Sequence, residues 1–284
     1  MTKLSVATAS NPSYLPARYE IRRLTEADIP FAAAIVLHSN LFYSPIWPVC
    51  YPEGKTARLY DSCMAIDYLV RHQIESGHSF GVFDLEYEFK REGSKPEGKL
   101  YWDLADTSLD QDALQEQMDF PLVSVALAFD GFNALDMEKV FPLIACLPLF
   151  GTLYHALEEA DPRDEASWKP TAERQVMLRN ATSTRHDAEG KGIMKKLAQF
   201  LMRYAAEQGF RAIQIECFAD AVHKVWSQPP PPFKATVVST FDCETYLEDV
   251  EVDGTTRKVN PFGPVKQRTS KVYVDLKPTA NGHV

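Results

Sequence analysis

An α/β fold is expected for this 284-residue sequence from three features of its C-terminal half. A β-rich run, Gln175 to Thr184, enters a polar loop, Arg185 to Gly192, that holds two glycines. A patterned helix follows and stops at Gly209; a second β run, Phe210 to Phe218, then leads into a short helix ending near Trp226. Strand, loop, helix, strand is a βαβ unit, whose crossover is expected to be right-handed. The helix carries Ile193, Met194, Leu197, Phe200, Leu201, Tyr204 and Ala205 on one apolar stripe at helical spacing.

Taken in order, residues 1–17 are rich in Ser, Ala and Pro and are expected as a loose tail. Tyr19 to Leu24 reads as a short strand. Thr25 and Asp28 have capping-box spacing before an apolar helix that ends near Ser39-Asn40. The stretch 41–54 is aromatic and punctuated by proline, an ordered loop whose Phe42, Tyr43, Trp47 and Tyr51 are candidates for a substrate wall, although simple packing accounts for each. Lys55 to Glu75 reads as one helix stopped by Gly77, and His78 to Tyr87 as a strand. A charged excursion, about 89–119, is expected as an insertion before a long strand, Phe120 to Phe132. A second insertion, about 133–170, contains two short helices, Asp136 to Leu147 and Thr152 to Glu159. After the βαβ unit, the Pro229–Pro232 run is a stiff spacer that cannot be mid-strand. Phe233 to Tyr246 and Lys271 to Leu276 read as strands joined by an acidic-then-basic loop. The expected organisation is one domain over 18–278 with two insertions, followed by a C-terminal tail, 279–284.

Composition bounds the function. Hydrophobic residues make up 45% of the chain and aromatic residues 11%, enough for a sizeable core. A net charge of −9 and a pI near 5.3 argue against broad nucleic-acid or anionic-membrane binding, which rely on basic surface. The five cysteines, at 50, 63, 146, 217 and 243, are odd in number and form no Cys-x-x-Cys pair, so neither a disulfide framework nor a metal site is signalled. The first twenty residues have no apolar leader and no run reaches transmembrane length. Cytoplasm is the expected compartment, with the nucleus as the alternative.

The 185–192 loop carries the chemistry. It opens a helix, where unpaired N–H groups and the helix dipole attract anions. Lys191, Lys195 and Lys196 crowd the same end, where each cation costs roughly 0.3–1 kcal/mol unless an anion compensates. Gly190-Lys191 is followed by Gly192, not Ser or Thr, so this is not a Walker loop. The third glycine of a dinucleotide fingerprint is also missing.

The arrangement resembles the GNAT superfamily of acyl-CoA-dependent N-acyltransferases, whose pyrophosphate loop reads Gln/Arg-x-x-Gly-x-Gly/Ala between a strand and a long helix. Asp187 to Gly192 supplies the two small residues and the following Ile193, with Asp187 where the family has Gln or Arg. Arg185 and His186 lie just upstream. The N-terminal Arg-x-Leu-Thr-x-x-Asp, Arg22 to Asp28, is similar to the start of many such domains. The resemblance implies a mixed, mostly antiparallel twisted sheet (α+β by some schemes) with a splayed central parallel strand pair and flanking helices.

It also implies a set of roles. Ala181, Thr182, Ser183 and Thr184 would pair with pantetheine; Arg185, Glu189, Gly190, Lys191, Gly192 and Ile193 would surround the pyrophosphate. A general base assists attack by a neutral amine, and Glu216 is the first candidate, followed by Glu173 and Asp130. Trp226, counted with the cofactor-binding residues, stands where many members have the tyrosine that protonates the departing thiolate, and an indole is no such donor. His223 or Tyr246 would have to substitute, or the thiolate leaves unassisted. Cys217 is expected as a buried structural thiol. The implied activity is acetyl transfer from acetyl-CoA to a primary amine of a small molecule. A protein or peptide acetyltransferase taking a lysine-bearing partner and a CoA-binding module without turnover are the alternatives. A homodimer through the terminal strand pair is the assembly the resemblance allows.

Overall fold

The structure, a computed structural model, describes residues 6–277, apart from the side chain of Val252. The proposed C-terminal tail, 279–284, lies outside the described residues, as do residues 1–5.

Strand β1 (Tyr19–Arg23) leads into a turn in which the Asp28 carboxylate accepts from the Thr25 N–H at 2.8 Å and its hydroxyl at 2.7 Å. Helix α1 (Ile29–Tyr43) starts with Pro at its second position, where no N–H is missed, and runs past the expected end. A short turn, α2 (Trp47–Cys50), and helices α3 (Lys55–Ala65) and α4 (Asp67–Glu75) follow. The break at Ile66 divides what the sequence reads as one helix; nothing in the side-chain pattern announces it. Strand β2 (Phe80–Asp84) is buried along its whole length.

The first insertion folds around one carboxylate. Asp119 accepts from the Tyr87 hydroxyl and from the Lys90 and Arg91 N–H groups, each at 3.0 Å, and from the Ser94 hydroxyl. The minimal ladder β3 (Lys99–Leu100) and β4 (Met118–Asp119) brackets a short helix, α5 (Gln111–Glu116). Strand β5 (Leu122–Asp130) is buried at every position, as its largely apolar sequence, interrupted by Ser124 and closed by Asp130, requires of a strand covered on both faces.

Helices α6 (Met137–Cys146) and α7 (Pro148–Glu159) and the turn α8 (Glu165–Trp168) form the second insertion. The βαβ unit comprises β6 (Val176–Thr184), α9 (Ile193–Glu207) and β7 (Ala212–Cys217), followed by α10 (Asp220–Ser227). Strand β8 (Lys234–Asp242) ends before Tyr246. The loop expected to be acidic then basic folds as a hairpin, β9 (Glu248–Val252) and β10 (Thr255–Val259), turned at Gly254 and tied by Lys258 to Asp249 at 3.1 Å. Strand β11 (Arg268–Asp275) closes the fold.

Seven strands make one sheet in the order β1-β2-β5-β6-β7-β11-β8, and within it only β6 and β7 are parallel. One core lies between the sheet and α1, α3, α4 and the second insertion; the other lies under α9 and α10. Six of the seven stripe residues read from the sequence, Ile193, Leu197, Phe200, Leu201, Tyr204 and Ala205, are buried in this second core, while Met194 is half-buried outside it. Among the described residues no single helix is long and apolar enough to cross a membrane.

The expected loose tail is not loose from residue 6 onward. Val6 donates its N–H to Ile21 O at 3.1 Å, extending the sheet edge. Asn11 is buried, donating to Phe200 O at 3.2 Å and accepting from Arg203 Nε at 2.8 Å. This strap covers the outer side of α9, which composition alone did not reveal.

Candidate active site

The site begins where the parallel pair separates. β6 and β7 are in register from Val176–Ala212 to Arg179–Ile215 and then diverge. On the other side of β6, Leu127 faces Ala181 while Ala128 faces Arg179, so Asn180 is a bulge residue. A bulge bends its strand and turns its side chains. Arg179, 1% exposed, stitches across it: one terminal nitrogen donates to Leu127 O at 3.0 Å and the other to the Thr182 hydroxyl. Burial lowers the Arg179 pKa to about 9.

Beyond the split, Ala181 to Thr184 keep their ladder to β5 but face no strand on the β7 side. A cavity of about 630 Å³ fills the wedge. Its walls are Asn180 to Thr184 of β6, Ile215 and Glu216 of β7, the loop residues Glu189, Gly190 and Gly192, and Ala219, Ala221 and Val222 around the start of α10. Ile193, Met194 and Lys195 of α9 complete this side. The other wall is mostly apolar, with Leu37, Leu41 and Trp47 from the N-terminal segment beside Ser39, Asn40 and Ser44, and Leu143, Leu147 and Phe150 from the segment 133–170.

The loop is built for close backbone approach. Gly190 and Gly192 both have φ of +72°, a left-handed conformation that glycine adopts without strain, and a Cβ at either would point into open space. Gly192 caps α9 without a side-chain hydrogen bond, and the first turn has no acidic residue. Its first helical bond is donated by Lys196, leaving the N–H groups ahead of it without intrahelical partners. These residues fit a phosphate group, and the open β6 edge fits an extended amide-bearing chain.

Three cofactor-binding expectations require correction. Arg185 does not reach the cavity; it is 2% exposed, paired with Asp187 at 3.1 and 2.7 Å, and donates to Phe120 O at 2.8 Å. The aspartate in the motif is thereby neutralised by its neighbour, so the two residues fix the loop instead of meeting a ligand. Lys191 also turns away, donating to Asp187 O at 2.9 Å, while Lys195 lines the cavity in its place. Trp226 is fully buried beneath α10 with its indole N–H unpartnered, and the Arg179 guanidinium lies 5.5 Å from its ring centre. The side of α10 that meets the cavity carries Ala221 and Val222.

Of the catalytic candidates, Glu216 alone lines the cavity. It is half-buried, and desolvation raises its pKa to about 7 against the opposing pull of Lys271. His223 faces a separate cavity of about 250 Å³, where its Nδ1 lies 2.7 Å from the Ser270 hydroxyl. Tyr246 packs against Phe241 and Phe262, with ring centres 5.0 and 5.5 Å apart, and burial raises its pKa. The helical register of α10 and the early end of β8 take both away from the split. Asp130 is a buried cap, accepting from the Phe132 and Arg174 N–H groups at 3.1 and 2.6 Å, and Glu173 is exposed. Neither lines the cavity. Cys217 is buried, as expected, and burial raises its pKa.

Two of the four wall aromatics line the cavity, Tyr43 and Trp47. Tyr43 also stacks on His186 at 3.8 Å and 5°, and His186 reaches Glu189 at 3.2 Å, so the N-terminal segment is tied to the 185–192 loop at the mouth. Phe42 packs near His38, and Tyr51 lies under the Arg58 guanidinium at 4.1 Å. Sequence reasoning missed Leu143, Leu147 and Phe150, whose apolar spacing on the insertion helices reads equally well as ordinary core.

No protein-family model and no curated protein sequence matches this chain. Solved structures do. The C-terminal condensation domain of Ebony, in complex with beta-alanyl-dopamine, is 15% identical, with 90% of this chain and 97% of that one covered at a TM-score of 0.56. Arylalkylamine N-acetyltransferase 2 from Aedes aegypti is 12% identical, with 91% and 99% covered at 0.54. The putative arylalkylamine N-acetyltransferase 7 of the same mosquito is 11% identical, with 91% and 87% covered at 0.52. The chain has the GNAT fold. The splay and the glycine loop at the head of α9 stand where the sequence leads one to expect them, and the β6 bulge is an addition that the structure supplies.

Proposed function

We propose that the chain is an acetyl-CoA-dependent N-acetyltransferase acting on a small primary amine with an apolar body. The observation that carries this reading is one continuous cavity joining the glycine loop, the open edge of β6 and Glu216. The loop amides would take the pyrophosphate, and Ala181 to Thr184 would pair with the pantetheine arm, bringing the thioester to the split between the strands. An amine entering between the aromatic loop and the second insertion would rest its body on Trp47, Leu147 and Phe150 and turn its nitrogen to Glu216. An ammonium passes one proton to the Glu216 carboxylate. The freed lone pair attacks the thioester carbonyl carbon, the C–S bond breaks, and CoA leaves as a thiolate that takes up the second proton of the acetylated nitrogen. A carboxylate with a pKa near 7 suits this role at neutral pH.

The walls favour a small molecule over a protein lysine, because α6 and α7 close the acceptor side with apolar residues. Names among the structural neighbours agree with this choice: arylalkylamine N-acetyltransferase, and a complex with beta-alanyl-dopamine. Trp226 in place of a phenol favours the second reading, a CoA-binding module without turnover.

A thermal-shift titration with CoA and acetyl-CoA tests the first step, since a ligand at 100 times its Kd adds about 2.7 kcal/mol to stability. The expected result is a saturable shift that Gly190→Glu abolishes and Gly190→Ala reduces less, the two sharing the same backbone strain. No shift at millimolar ligand overturns both readings. Acetylation of any arylalkylamine in a panel, measured by released thiol, separates the enzyme from the silent module.

A further inference from the structure

The β7 residue placed at the split does not act alone. On the same face, Glu216 lies directly across from Lys271 in the β7–β11 ladder, and Gln214 lies two residues before it. Lys271 is 4% exposed and donates to Asp161 at 3.2 Å. Asp161 is held in turn by both ends of Arg163, at 3.0 and 2.8 Å, and by its backbone N–H at 3.1 Å. Arg163 also donates to Gln214 Oε1 at 2.8 Å, which turns the Gln214 amide nitrogen toward Glu216 at 3.4 Å. The turn that ends the second insertion thus reaches the base candidate by two routes, one ionic and one through an amide.

We propose that Asp161 and Arg163 position Lys271 and Gln214 against Glu216, so that the insertion sets the basicity of the site as well as walling it. The inference rests on the reading of Glu216 as the base. Asp161 tethers the ammonium: drawn to Asp161, Lys271 opposes the desolvation of Glu216 without forming a full ion pair with it. Glu158 on α7 also acts on Glu216 and disfavours a second negative charge here, while Glu216 in turn pushes up the Tyr154 hydroxyl on α7 and the Cys217 thiol on β7. Lys271 is the cation that counters Glu158 and the desolvation. An opposite charge within about 4–6 Å moves a carboxyl titration by about 1–3 pH units. Removing the cation and untethering it therefore have opposite signs.

The test is a carboxyl ¹³C NMR titration of the full chain labelled at glutamate Cδ, with Glu216→Gln identifying the resonance. Lys271→Met should raise the Glu216 midpoint by about one pH unit, a tenfold gain in proton affinity, and Lys271→Arg should restore it. Asp161→Asn should lower the midpoint by a similar amount as the released ammonium closes on Glu216. If either single variant fails to fold, the double variant, which removes the pair together, should behave as Lys271→Met does. A wild-type midpoint at the ordinary glutamate value sinks the base reading itself. A midpoint near 7 that no variant moves, or that Asp161→Asn moves upward, overturns the relay and leaves the base standing.

Discussion

Glu216→Gln should make the protein more stable while removing the proposed base. In the folded chain, burial holds the Glu216 carboxyl at about 7 where an ordinary one titrates at 4.5. Between these values the unfolded chain has released its proton and the folded chain retains it. The unfolded state therefore binds fewer protons, and stability falls as pH rises through this window. At about 1.4 kcal/mol per pH unit the full interval amounts to about 3 kcal/mol. Glu216 is half-buried and opens onto the cavity, so about 2 kcal/mol is the more realistic loss. Glutamine has the same shape and never ionises. The variant should match wild type near pH 4.5 and exceed it by about 2 kcal/mol above pH 7.5, worth about 4 °C in Tm for a chain of this length. Urea denaturation from about pH 4.5 to 8.5 gives the two curves. If they run parallel across that range, the carboxylate is not held in a desolvated state and the basis for its role disappears.

Two further outcomes separate fold from chemistry. Arg185→Met leaves the buried Phe120 carbonyl without its donor and Asp187 without its partner, and should cost about 2–3 kcal/mol by urea denaturation. The affinity of the remaining folded protein for CoA, by calorimetry, should change by less than about tenfold; a larger loss would return Arg185 to the phosphate site. Trp226→Tyr should cost about 1–3 kcal/mol for the volume lost beneath α10 and should not raise turnover with an amine found in the panel. A tenfold rise in kcat would place that position within reach of the leaving sulfur.

The central unit was legible because its signals are local. The helical stripe of α9, the glycines that need positive φ, and the largely apolar run of β5 depend on neighbours within a few residues. The Gly190–Gly192 pair and Ala181 to Thr184 fall at the cavity for the same reason. What the sequence could not disclose are directions and long-range pairings. That Arg185 folds back onto Asp187, that α10 shows Val222 and not His223 to the cavity, and that Tyr246 joins an aromatic cluster all follow from packing between distant segments. The segments 89–119 and 133–170 read from the sequence only as excursions, because nothing near Asp119 or Asp161 in the chain states that one organises a whole loop and the other meets Lys271.

The short parallel ladder has a mechanical consequence. β1, β2, β5 and β6 form one plate, β7, β11 and β8 another, and the two share rungs only along Val176–Arg179 and Ala212–Ile215. Past that seam, the sheet is an open clasp, bridged from outside by α9, which packs on β2, β5 and β6 as well as β7. A ligand lying in the wedge would occupy the place of the missing rungs and complete the sheet for as long as it stayed, joining the two halves of the molecule along a longer seam.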